Sequence, residues 1–263
     1  MGIHPTACVD PAAEIDSEAE IGPYAVIDGP VRVGPGTRVL AHAVLTGRTI
    51  LGRDNVVHSG AVLGDEPQDL SYRGRETGLR IGDRNVFREH CEVNRGSKRE
   101  DTVIGDDNYV MSRAHVGHDC HLGSRIVLAT GAALGGHVEV ADQVFVSANC
   151  LVHQYVRVGR LALLRGLSRT SRDVPPFSIM DFTHTVRGVN RIGLRRAGLG
   201  AEQVRAVERA FVRLFRVRRN LKVALAEVEA EPMTEEVRHL VDFIRSSRRG
   251  VCFGPRRSEA EEE

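Results

Sequence analysis

The sequence predicts a mainly β protein, a hexapeptide-repeat β-helix followed by a C-terminal α-helical domain. Three observations predict it. Branched aliphatic residues recur every six positions through the first two thirds of the chain; glycine reaches 27 of 263 residues while aromatics make up 5%; and beyond Val174-Pro175-Pro176 the apolar spacing turns helical. A core of small aliphatic side chains on tight backbone suits short stacked strands.

Stepping by six from Ile3 gives Val9, Ile15, Ile21, Ile27, Val33, Val39, Leu45, Leu51, Val57 and Leu63. The frame continues at Ile81, Phe87 and Val93, slips by one residue, and runs again from Ile104 in steps of six to Leu164. An α-helix would repeat at three and four and an ordinary strand at two, so each hexad reads as a short strand and a turn with one inward aliphatic. Glycine often follows that residue, as in Ile21-Gly22, Val33-Gly34 and Leu122-Gly123. Three hexads close a triangular coil, which stacks residues eighteen apart at about 4.8 Å.

Such a repeat serves equally well as an inert spacer, so its interruptions carry the functional information. Residues 64–80 lack inward aliphatics at 69 and 75, and a polar loop leaves the coil there. A charged stretch at 94–101 shifts the frame. The β-helical domain is read as 1–176, because a proline pair does not continue a ladder. The helical domain is read as 177–263, with Val204, Val207, Phe211, Leu214 and Phe215 on one stripe. Thr234 opens a further helix carrying Val237, Leu240, Val241 and Ile244, and the acidic end at 258–263 reads as disordered.

Composition excludes several classes. Five scattered cysteines without a CxxC pair argue against a disulfide framework or a zinc ribbon and fit a reducing cytoplasm. No run reaches 18 apolar residues, and the N-terminus lacks a signal-peptide layout, which disfavours membrane spanning and export. The net charge of +1 conceals a basic segment at 157–222, which attracts an acidic partner of whatever kind.

Val116, Leu134 and Val152 share one column, eighteen apart. His118, His137 and the His153-Gln154 pair follow them closely, so their side chains should line one edge across three coils. Three readings stand at this point: polar ladders at solenoid corners, a metal site built from His115, His118 and His121, or a proton-moving site. Asp119 beside His118 could orient that ring, and Gly135-Gly136 could offer a backbone N–H to an oxyanion.

Taken in order, the motifs QDLSY (68–72), IGDRNVFRE (81–89), NRGS (94–97), AHVGHDC (114–120), GGHVEV (135–140), VHQYVRVG (152–159), RDVPPF (172–177) and GVNRIGLRRAG (188–198) resemble the UDP-N-acetylglucosamine acyltransferases that open lipid A biosynthesis. The resemblance implies a left-handed coil, a homotrimer with sites between subunits, and transfer of a (3-hydroxy)acyl chain from acyl carrier protein to the 3-position of the UDP-amino sugar. It implies no metal, no cofactor beyond the acyl-carrier-protein co-substrate, no nucleic-acid partner and no transmembrane segment. By motif, His118 would be the general base, Asp119 its support and Gly136 the oxyanion donor. Gln68, Asp69, His115, His137 and Gln154 would hold the sugar nucleotide, while Asn190 and Arg196 would contact the nucleotide or donor. Acyl length would be limited near Gly166, beside which this chain carries Arg165.

The chain also departs from the family pattern. Ser71 replaces a lysine, Arg75 a glutamate, Asn94 a histidine and Ala197 one arginine of a basic pair, while Ile192 stands where an acid is common. The base and oxyanion parts are intact, whereas acceptor and acyl length are affected. Transfer to a 3-amino sugar, acylation of another nucleotide sugar, and a catalytically silent trimeric scaffold therefore stand as alternatives.

Overall fold

The computed structural model describes residues 2–98, 100–217 and 220–254. Short strands, mostly of two residues and parallel except for the last, build three sheets of nine, eight and ten strands, and up to Ser178–Asp181 consecutive strands in the chain fall in different sheets. Together they form a left-handed parallel β-helix. The predicted register holds: Val116 pairs with Leu134, and Leu134 with Val152. Every inward position from Ile21 to Leu164 in the frame is buried, and Ile3, at the open first coil with no strand beneath it, is 51% exposed.

Corners turn through left-handed backbone. Asp107, Arg113, Asp119 and Arg125, six apart, all have φ between 57° and 59°. Such φ values disfavour L-residues, so each corner is held by its ladder. A polar spine inside one corner does part of this: Asn55 Oδ1 accepts from Asn85 N at 2.9 Å, and Asn85 Oδ1 accepts from Asn108 N at 2.9 Å.

The proline pair does not end the ladder, and strand pairing runs on past residue 176. Pro176 lies in a turn, where its missing N–H costs no rung. Ser178–Asp181 then runs parallel to Leu163–Leu164, and Thr185–Val189 closes an antiparallel hairpin on it. Helices begin later: α1 Arg191–Arg196, α2 Ala201–Phe211 with a π-helical continuation to Arg216, α3 Leu221–Glu229 and α4 Glu235–Arg245. Val204, Val207 and Leu214 of the first stripe and all of the second are buried in one cluster with Leu161 and Phe177, while Phe211 is buried in the core of the coil. The acidic end at 258–263 lies outside the described residues. Among the described residues no helix is long and apolar enough to cross a membrane.

Candidate active site

Both interruptions of the repeat leave the coil at one corner. The 66–77 loop runs from strand Val62–Asp65 to strand Gly78–Ile81, and the 95–101 loop runs from Glu92–Asn94 to Thr102–Ile104. His118 and Asp119 occupy the same corner one coil further on, between His115–Val116 and His121–Leu122, with Gly135–Val138 and His153–Val156 following. Arg95 stitches the two loops together, reaching Gly64 O at 3.1 Å, Glu66 at 3.1 Å and the Tyr72 hydroxyl at 3.3 Å.

His118 Nδ1 donates to Asp119 Oδ2 at 2.6 Å. Asp119 is buried and accepts as well from Ser97 N at 3.1 Å and Lys98 N at 3.4 Å. All of its partners are donors, which places the His118 ring proton on Nδ1 and the lone pair on Nε2. The ring lies over Gly136: a Cβ built there would stand 2.6 Å from both Cε1 and Nε2 of His118. Among the described residues the Gly136 N–H donates to no protein acceptor. A base and a free backbone donor are thus adjacent.

Behind this pair the first loop is tied in. Asp69 accepts from Ser71 N at 2.8 Å, Ser71 Oγ at 2.9 Å and Ser97 Oγ at 2.8 Å. Hydrogen bonds from Ser71, backbone then side chain, and from Ser97 hold its carboxyl down at about 2. Ser71, where the family pattern has lysine, here steadies the loop aspartate.

The rings of His118 and His137 meet edge to face at 5.2 Å between centroids, with His118 stacked over Gly136, one position before His137. Asp119, His137 and Tyr155 share the next corner position, all with positive φ. His137 stacks on Tyr155 at 4.3 Å between ring centroids, and its Nε2 is 3.6 Å from Asp119 Oδ2. Burial lowers the His137 pKa below its ordinary value, outweighing the pull of Asp119. His115 and His121 turn to Glu92 and Glu100, at 3.2 and 3.5 Å. Among the described residues the trio able to converge on a metal ion is instead His118, Asp119 and His137, whose ligand atoms lie within 4.8 Å of one another.

Two kinds of space flank the corner. On one side an apolar cavity of about 450 Å³ is walled by His115, Leu134, Leu151, Val152, Arg169 and His184, among others. On the other, polar cavities of about 570 and 710 Å³ share Glu100, Asp119 and His137, the first reaching Arg75 and Lys98, the second Arg157, Arg248 and Arg249.

Several expected site residues stand apart. Arg165 and Gly166 border none of these cavities, because Arg165 is drawn to the buried Asp181 at 2.8 Å. Arg169, one turn further along the chain, borders the apolar one. Asn190 caps α1, accepting from Gly193 N at 3.0 Å and donating to Leu161 O at 2.9 Å. Arg196 is exposed in the last turn of α1, and Gln154 is exposed one coil beyond Gly136. Gln68 donates to Glu92 at 2.8 Å. Glu92, Ser97 and Tyr155 were not singled out in the sequence; for Glu92 and Ser97 the frame slip hides which residues of the loop coil meet the histidines.

Residues 173–252 match the profile of a family described as UDP N-acetylglucosamine O-acyltransferase, domain 2. The acyl-[acyl-carrier-protein]–UDP-N-acetylglucosamine O-acyltransferase of Anaeromyxobacter sp. is 45% identical over 255 residues, 95% of this chain and 99% of the relative. That of Thermodesulfovibrio yellowstonii is 39% identical over 254 residues, 95% and 98% of the two chains. The crystal structure of the Francisella novicida UDP-N-acetylglucosamine acyltransferase superposes with a TM-score of 0.92 at 33% identity, covering 97% of this chain and 95% of that one. The Arabidopsis UDP-N-acetylglucosamine acyltransferase gives a TM-score of 0.81 at 30% identity, with 95% and 99% covered. Over almost its whole length, then, the chain belongs to the UDP-N-acetylglucosamine O-acyltransferase family.

Proposed function

We propose that the protein moves a (3-hydroxy)acyl chain from acyl carrier protein to the 3-hydroxyl of UDP-N-acetylglucosamine, the first step of lipid A biosynthesis, working as a cytoplasmic homotrimer. The observation that carries this reading is the His118–Asp119 pair over Gly136, set between an apolar cavity and polar ones. His118 Nε2 takes the hydroxyl proton as the sugar oxygen attacks the thioester carbonyl. The tetrahedral oxyanion receives the Gly136 N–H, a fixed donor of the kind that contributes a few kcal/mol. Collapse breaks the C–S bond, and the His118 imidazolium returns its proton to the departing thiolate. Asp119 holds the ring and stabilises its charge. Asp69, His137 and Gln154 hold the sugar, and exposed arginines of the basic segment, such as Arg196, face acidic acyl carrier protein.

The test is a mass-resolved transfer assay that offers UDP-N-acetylglucosamine and its 3-amino analogue with acyl carrier proteins bearing a range of chains. Product on the hydroxyl acceptor is expected. Product on the amine alone would change the linkage to an amide, and nucleotide-sugar binding without turnover would leave a silent scaffold. Stoichiometric zinc on His118, Asp119 and His137 by elemental analysis would overturn the metal-free chemistry.

The same assay reads acyl length. With the acyl chain in the apolar cavity, Arg169→Ala should lengthen the preferred chain by opening the wall. Arg165→Gly should leave the profile unchanged, since its guanidinium is committed to Asp181. A longer profile in Arg165→Gly and none in Arg169→Ala would reverse the assignment.

A further inference from the structure

His115, by motif a holder of the sugar nucleotide, also lines the cavity that the reading above gives to the acyl chain, and on that reading we propose that Glu92 is the residue that positions it. Its carboxylate fixes His115 as the Nδ1–H tautomer, so that Nε2 presents a lone pair to a hydroxyl or amide N–H of the nucleotide sugar.

Glu92 and His115 are opposite rungs of adjacent strands, Glu92–Asn94 and His115–Val116. Glu92 Oε2 lies 3.2 Å from His115 Nδ1, while Oε1 accepts from Gln68 Nε2 at 2.8 Å and Asn94 Nδ2 at 3.2 Å. One carboxylate thus gathers an amide from the first loop, an amide from its own strand and an imidazole from the next coil. Burial alone would raise the Glu92 pKa, but the hydrogen bonds from Gln68 and Asn94 and the contact with His115 outweigh it and hold the group below its ordinary value. An ionised carboxylate only accepts, so the proton between the two residues sits on Nδ1. Among the described residues Nε2 of His115 has no protein partner, and His115 lines the apolar cavity.

Asn94 adds a second observation. It is 1% exposed, its Nδ2 is spent on Glu92, and its Oδ1 is buried without a partner. The buried Asn94 amide thus makes its one side-chain hydrogen bond to Glu92. Carboxylate partners that lock a histidine tautomer also set the ring's rotation, which a neutral rung of a polar ladder does not need.

Glu92→Gln keeps the size and an acceptor for Gln68 but presents His115 with an amide N–H, favouring the proton on Nε2. Nitrogen-resolved NMR of the histidine rings in the full-length protein reads the tautomer directly. The wild type is expected to show Nδ1–H at His115 and the variant Nε2–H. In kinetics, Glu92→Gln should raise KM for UDP-N-acetylglucosamine about fivefold to tenfold, the loss of one hydrogen bond, with kcat and the donor KM unmoved. In a His115→Ala background the same change should have no further effect on KM, since Glu92 acts through that ring. An Nε2–H ring in the wild type, a KM effect that persists without His115, or a lower melting temperature with KM unchanged would each overturn the role. Failure of the wild type to turn over would strike the transfer reading instead, and the tautomer measurement would still decide the role of Glu92.

Discussion

His118→Ala is expected to lower kcat by about a thousandfold while the melting temperature and the state of assembly stay as in the wild type. The kinetic half follows from position: His118 is the ring whose Nε2 side lies against Gly136, supplying all three atoms nearest a Cβ built there. His137 presents its buried Nε2 toward Asp119 instead. The stability half follows from what is left behind. Removing an imidazole from a buried carboxylate usually strands an acceptor at a cost of about 1–3 kcal/mol. Asp119, however, retains the Ser97 and Lys98 amides, and the His118 side chain itself is 14% exposed, so water can enter the space it vacates. Turnover from the mass-resolved assay, beside thermal unfolding and sedimentation of the same samples, checks both halves. Loss of the assembly with the ring would make His118 a structural corner residue, and residual activity near wild type would move the base elsewhere.

The coil itself was legible because one inward aliphatic every six residues admits no helical or simple strand register, and Val116, Leu134 and Val152 pair as counted. Two features of the site were not. Strand pairing fixes rungs, but a corner residue's neighbour depends on how many residues each coil spends in its turn. Counting from the column put His137 near His118, and their rings do meet edge to face at 5.2 Å between centroids, but it did not show that equal offsets stack His118 on Gly136 and Asp119 on His137 and Tyr155. The Glu92–His115 pair was hidden differently. The charged loop lengthens its coil, so the partners are 23 apart and not eighteen. Carrying the one-residue slip at Val93 through to Val116 gives that same spacing, and with it Glu92 was within reach of the sequence. The capping use of Asn190 was beyond it, since a helix as short as Arg191–Arg196 leaves almost no periodic signal.

Gly136→Ala should abolish most activity, by a hundredfold or more, at little cost in stability, and the contrast with its neighbours explains why. Gly136 does not sit at a positive φ, so alanine brings no backbone strain there. What a Cβ meets decides the outcome. At Gly117 it would lie 2.8 Å from Gly136 N and at Gly135 2.8 Å from Gln154 N, both backbone atoms fixed in the ladder. At Gly136 its nearest neighbours are Cε1, Nε2 and Nδ1 of His118, at 2.6, 2.6 and 3.1 Å. A side chain can swing away where a ladder cannot, so Gly136→Ala costs little folding energy. The swing, however, breaks the 2.6 Å bond to Asp119 and carries Nε2 off the attacking oxygen's path. The added methyl also crowds the N–H on which the oxyanion would rest. Gly135→Ala is the control, expected to lower the melting temperature by forcing adjacent coils apart. A Gly136→Ala protein with full turnover would mean that the imidazole does not act from this position. One that unfolds early, as Gly135→Ala should, would mean that the glycine is retained for coil packing and not for the chemistry above it.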